Sequence, residues 1–163
     1  MTERIEVSRP FEAAPEAVFS LLCDPQGHVA IDSSGMLQSA DGDPVSAVGD
    51  SFVVHMDRES LGDVDLGRYD VTVTITTYEQ DREIAWKILG RVRPQIGHVY
   101  GYRIEPAPDG EAGCVVTSYY DWTDIDPVWR ERAIFPVIPE SALKATLGIL
   151  DRTVRRGYPR GEG

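Results

Sequence analysis

Asparagine is absent from this chain, cysteine and lysine occur twice each and histidine three times. Cys23 and Cys114 belong to no CxxC pair, so neither a disulfide scaffold nor a thiolate metal cluster is expected, and both are read as small buried hydrophobes. His28, His55 and His98 are far apart, and no HxxxH or HExxH spacing exists, so no dedicated metal site or metal cofactor is expected. GxSxG and phosphate-loop motifs are missing. No stretch approaches the roughly 18 apolar residues of a membrane span. The first residues, MTERIEVSRPFE, lack the basic-then-apolar layout of a secretion signal, so a cytoplasmic location is expected. Positive charge is also scarce: the formal net charge is -11. That balance opposes phosphate backbones and anionic lipid surfaces, so neither nucleic acid nor a membrane is an expected partner.

The 163 residues, 42% of them hydrophobic, suffice for one domain over 1-163 with a core of its own. Arg4 to Glu12 alternates, with Ile5 and Val7 on one side, and reads as a strand ending near Pro10. Pro15 suits a first helical position, and Val18, Leu21 and Leu22 form a short apolar stripe. Asp24-Pro25 is a second start signal, an acidic cap followed by Pro, for a short helix that Asp32-Ser33-Ser34-Gly35 closes.

From Gly35 to Trp122 the pattern is β, punctuated by the turns Gly42-Asp43-Pro44 and Val48-Gly49-Asp50. Phe52, Val54 and Met56 share a face. Asp57 to Gly67 is a polar loop. Tyr69, Val71, Val73 and Ile75 alternate against Asp70, Thr72, Thr74 and Thr76. Ile84, Trp86 and Ile88 do the same, as do His98, Tyr100, Tyr102 and Ile104, with Gly97 and Gly101 read as aids to sheet curvature. Cys114 to Trp122 is a last strand whose facing the adjacent Tyr119 and Tyr120 leave open. A linker with Pro127, Pro136 and Pro139 leads to the longest helix. There Leu143, Leu147, Leu150 and Val154 make one stripe, Arg152, Arg155 and Arg156 complement the dipole, and Gly157 ends it.

About seven antiparallel strands with one apolar face each need a cover, and the last helix is the only long amphipathic element. The expected class is therefore α+β: a curved sheet, two short helices after its first strand, gripping a long C-terminal helix. The pieces PFEAAPEAVFSLLCDP (10 to 25), HVAIDSSG (28 to 35), VGDSF (48 to 52), SYYDW (118 to 122) and FPVIPESALKATLGIL (135 to 150) follow in that order. In this the chain resembles the SRPBCC or START-like superfamily, the helix-grip group with Bet v 1-type proteins and bacterial polyketide cyclase/dehydrase-like and lipid-transport-like proteins.

Buried Tyr and Trp tips need polar partners, which a dry core supplies poorly. Several tyrosines on one inner face thus hint at a part-polar cavity, and the resemblance implies one for an apolar small molecule. Its expected lining is Phe52, Val54, Met56, Tyr69, Val71, Trp86, Ile88, His98, Tyr100, Tyr102, Tyr120, Trp122, Phe135, Leu143 and Leu147. The expected partner is a lipid, fatty acid, polyketide or aromatic metabolite, bound by a monomer or weak homodimer. The resemblance also admits a cyclase or dehydratase, with His98 and Tyr100 as candidates to move protons or orient a ligand carbonyl. A third reading is a module for protein partners, carried by a patch at Trp129, Ile134 and Phe135. His55 is expected to face outward and His28 to stabilise a turn. Asp121, Asp124 and Asp126 read as a solvated, turn-forming rim. Parity turns Arg103 outward; Arg68, Arg91 and Arg93 have no assigned side.

Overall fold

A computed structural model describes residues 3–61 and 66–159. The centre of the polar loop expected over Asp57 to Gly67, and the two ends of the expected 1-163 domain, lie outside the described residues. Seven strands form one antiparallel sheet: β1 (Arg4–Phe11), β2 (Leu37–Asp41), β3 (Ser51–Asp57), β4 (Arg68–Glu79), β5 (Glu83–Leu89), β6 (Val99–Pro106) and β7 (Cys114–Asp121). Their spatial order is β1-β7-β6-β5-β4-β3-β2, so the first strand pairs with the last and the rest meander. Between β1 and β2 run α1 (Pro15–Cys23) and α2 (Pro25–Ile31). After β7 come a one-turn α3 (Pro127–Arg130) and the long α4 (Glu140–Arg156). This is the helix-grip arrangement.

The local signals act as chemistry requires. Prolines open α1 and α2, and the Asp24 carboxylate caps α2 by accepting from the Gln26 amide at 3.1 Å. Asp32 closes the second helix, accepting from the Ser34 and Leu37 amides. Helix α4 ends at Gly157, whose φ of 84° is the left-handed geometry glycine adopts without strain.

Two strands depart from the simple alternation. The first runs on to Phe11, because Pro10 sits on an edge strand where its missing N–H breaks no ladder. β4 extends past the expected Thr76 to Glu79, because a bulge between Ile75 and Thr77 inserts one residue and flips the parity. Val71, Val73 and Ile75 point inward before it; Tyr78 points inward after it and meets Phe19 of α1 edge to face, at 5.3 Å.

The inner face carries the core and the outer face the charges. Val18, Leu21 and Leu22 of α1 and Leu147 and Leu150 of α4 are buried with Val54, Ile75, Ile84 and Val116 of the sheet. Each such side chain contributes roughly 1.5–3 kcal/mol on leaving water. Helix α4 packs chiefly on β1, with further contacts to β7, α1 and α2. Asp151, on its inner side and only 7% exposed, ties it to β1 through Arg9, whose Nε and Nη2 donate at 3.2 and 3.1 Å.

The open facing of β7 resolves by register. Tyr120 pairs with Tyr100 and is fully buried; Tyr119 pairs with Gly101 on the outer face. There the Tyr119 ring lies where a Gly101 side chain would stand, its hydroxyl donates to Glu83 at 2.5 Å, and the Arg4 guanidinium covers the ring at 3.9 Å. Gly101 thus makes room for a ring. Gly97, expected within a strand, precedes β6 at φ 88°.

Candidate ligand-binding cavity

The C-terminal half of α4 closes on the sheet, while its first turns stand away from it. The space left has a volume of about 560 Å³. Val54 and Met56 of β3, Tyr69, Val71 and Val73 of β4, Trp86 and Ile88 of β5, and Tyr100 and Tyr102 of β6 form its floor. Ala142, Leu143 and Thr146 of α4, with Val137, Ile138 and Pro139 before it, form the roof. Ile31 and His28 of α2 close one end, beside Asp32, Ser33 and Ser34. Arg58, Leu66, Arg91 and Val92 line the same cavity from the loops after β3 and β5. Arg91 is held there by donation to the Leu66 carbonyl at 3.1 Å.

The most structured corner surrounds His98. Its Nδ1 lies 2.6 Å from the Tyr120 hydroxyl. The rings of Tyr100, Tyr120 and Phe135 meet it edge to face at 5.1, 5.3 and 6.2 Å, so the imidazole is fixed on three sides. Burial without a countercharge pushes its pKa down to about 4, and the ring is neutral at pH 7. Burial likewise raises the Tyr100 and Tyr120 phenols well above the usual range and Tyr102 to about 12, so all three keep their protons. His98 is buried, at 7% exposed.

His28 is also more than a turn stabiliser. It is buried between Phe52 and Trp86, at 4.9 and 4.6 Å, and its Nε2 donates to the Leu22 carbonyl at 2.7 Å. Desolvation brings its pKa down to about 4.

Of the residues expected to line the cavity, Val54, Met56, Tyr69, Val71, Trp86, Ile88, His98, Tyr100, Tyr102 and Leu143 share its wall. Five lie elsewhere. Phe52 packs under His28, and Leu147 belongs to the closed part of the core. Tyr120 and Phe135 sit behind His98, and Trp122 stacks on Tyr120 at 5.8 Å, one layer further out. Parity identified the correct face for Phe52 and left that of Tyr120 open, and parity does not say where the helix touches the sheet. His28, Ser118 and the Ser33-Ser34 turn join the wall through tertiary closure, for which the local sequence carries no signal.

The other polar groups are structural. His55 faces outward, bridged by Asp70 at Nδ1 and Asp41 at Nε2, at 2.7 and 2.6 Å. Asp121 accepts from the Thr123 amide and Asp126 caps α3 through the Val128 amide, as turn-forming residues do. Arg103 lies outward with Glu6, Arg68 pairs with Asp57, and Arg93 donates to the Gly90 and Val92 carbonyls. Of the patch Trp129, Ile134 and Phe135, only Ile134 stands clear, at 52% exposed. Trp129 Nε1 donates to the Pro94 carbonyl, and Phe135 leans on His98. Among the described residues no His, Cys, Asp and Glu cluster has the geometry to hold a metal ion, and no helix is long and apolar enough to cross a membrane.

A one-sided antiparallel sheet wrapped on a terminal helix, with an aromatic cavity between them, defines the helix-grip class of small-molecule-cavity folds. Residues 2–155 match the family described as polyketide cyclase / dehydrase and lipid transport, and the chain belongs to it. Solved structures agree on the fold. Protein CV1439 from Chromobacterium violaceum superposes with a TM-score of 0.65 at 14% identity, covering 94% of this chain and 98% of that one. Norcoclaurine synthase from Thalictrum flavum, in complex with dopamine and hydroxybenzaldehyde, gives 0.61 at 15%, covering 98% and 90%. The Aha1 dimer from Colwellia psychrerythraea gives 0.60 at 14%, covering 96% and 98%. Comparison with curated protein sequences gives no match.

Proposed function

We propose that this protein binds an apolar small molecule, a lipid, fatty acid, polyketide or aromatic metabolite, in the cavity between its sheet and α4. The observation that carries this is the unfilled volume of about 560 Å³ behind aromatic and aliphatic walls. It falls within the roughly 300–1,000 Å³ typical of small-molecule sites, and its few polar groups suit orientation more than bulk solvation. The family description and the ligand complex of norcoclaurine synthase support the same reading. All the described wall residues belong to one copy of the chain, in line with a monomer.

The test is uptake of the neutral dye N-phenyl-1-naphthylamine by the wild type and by Val71→Trp. The wild type is expected to bind one equivalent with enhanced emission. The indole should fill the floor and abolish uptake while far-ultraviolet circular dichroism stays unchanged. A wild type that takes up no dye overturns the reading.

A second reading, turnover of the cyclase or dehydratase kind, draws on one observation: His98 and Tyr100 face the same cavity with ring centroids 5.1 Å apart. Catalysis there would come mainly from holding the substrate in a reactive fold, with these two residues at the reacting group. Under this reading His98→Ala and Tyr100→Phe each lower turnover of a cyclising polyketide-type substrate at least tenfold; unchanged rates exclude it.

A further inference from the structure

The hydrogen-bond directions around His98 say what kind of ligand the cavity wants. Tyr120 is fully buried, and its hydroxyl has one hydrogen-bond partner among the described residues, His98 Nδ1 at 2.6 Å. If Nδ1 carried the imidazole proton, it would donate to the Tyr120 oxygen. The phenolic proton would then be buried without an acceptor, which is costly. The satisfied arrangement has the Tyr120 hydroxyl donating to His98 Nδ1, which gives the buried phenolic proton its acceptor. A neutral imidazole that accepts at Nδ1 carries its proton on Nε2. Nε2 makes no hydrogen bond among the described residues, and His98 lines the cavity. Tyr100, two residues further along that wall, makes no side-chain hydrogen bond among the described residues and brings a second hydroxyl to the same space.

We propose that His98 Nε2–H and the Tyr100 hydroxyl form a donor pair for one acceptor oxygen, so that the ligand is an apolar body carrying a carbonyl group. Tyr120 acts as a positioning residue: it touches no ligand and sets which imidazole nitrogen holds the proton. The inference rests on the binding function proposed above and narrows it from apolar molecules in general to ketones and related carbonyl compounds. It also assigns His98 the role of donor to a carbonyl in place of the role of base.

The experiment uses two matched probes, 2-acetylnaphthalene and 2-ethylnaphthalene, titrated calorimetrically against the wild type, Tyr120→Phe and His98→Phe. Desolvation alone favours the hydrocarbon, so preference for the ketone is a signature of the donors. The wild type is expected to bind the ketone about tenfold more tightly, as one or two neutral hydrogen bonds allow. Both variants are expected to lose most of that preference while still binding the hydrocarbon. Nitrogen-15 NMR of the wild type is expected to find His98 protonated at Nε2 and free of titration between pH 5 and 8, a readout that needs neither probe nor variant. An Nδ1-protonated His98, or equal affinity for the two probes, overturns the inference while the cavity reading stands. Failure of both probes and of the naphthylamine dye overturns the cavity reading and this inference together.

Discussion

Three histidines sit in three environments, and each gives the stability of the fold a different pH dependence. His28 and His98 are buried and neutral, with pKa values brought down to about 4. In the unfolded chain they take up protons near pH 6.5, so between that value and 4 the unfolded state binds more protons and stability falls as pH falls. For His28 the loss is on the order of 3 kcal/mol. His55 behaves oppositely. Hydrogen bonds that its ring donates to Asp41 and Asp70 raise its pKa, so its contribution is complete below 6.5 and fades as pH rises through the raised value. Urea unfolding from pH 4.5 to 8.5 is therefore expected to peak near neutrality. His55→Gln should flatten the alkaline limb alone. A curve unchanged there would remove the Asp41–His55–Asp70 bridge from the account. Asp151→Ala leaves Arg9 and Arg155 without their shared carboxylate and is expected to cost about 1–3 kcal/mol in the same assay.

At the scale of elements, the fit between β6 and β7 depends on one missing side chain. A methyl group at Gly101 would stand inside the Tyr119 ring, so Gly101→Ala should displace the ring from Glu83 and Arg4. The expected cost is about 1–3 kcal/mol. Adding Tyr119→Ser should relieve the clash, so the double variant is more stable than additivity allows; strict additivity in thermal unfolding would refute the contact. The same pair marks a limit of sequence reading. Strand alternation was legible at Tyr69 to Ile75 and at Tyr100 to Ile104, and the helix stripe at Leu143 to Val154, because each is a local period. The adjacent Tyr119 and Tyr120 carry no such period; only their registers with Gly101 and Tyr100 decide which ring goes inside. The bulge after Ile75 was hidden for the same reason.

For the molecule as a whole, composition excluded more than it specified. Element order was enough to read a sheet gripping a helix, since a one-sided sheet must be covered. The cavity was legible only as a face. Whether Leu143 or Leu147 borders open space depends on where α4 tilts off the sheet, which no repeat records. Binding and stability are linked here: a ligand held at one hundred times its dissociation constant should add about 2.7 kcal/mol to unfolding. A saturating carbonyl probe is thus expected to raise Tm by several degrees in differential scanning calorimetry. Val71→Trp should show no such rise.

The pairing of the first strand with the last also bears on how the protein is made. Ser8 meets Thr117 across 109 residues, so β1 leaves the ribosome long before its strand partner β7 exists. Until Cys114 to Asp121 has been synthesised, that strand can neither join the sheet nor receive α4. Closing so long a loop late makes assembly slow, with an unpaired edge waiting meanwhile. The nascent chain is therefore most exposed to aggregation just before its final third emerges.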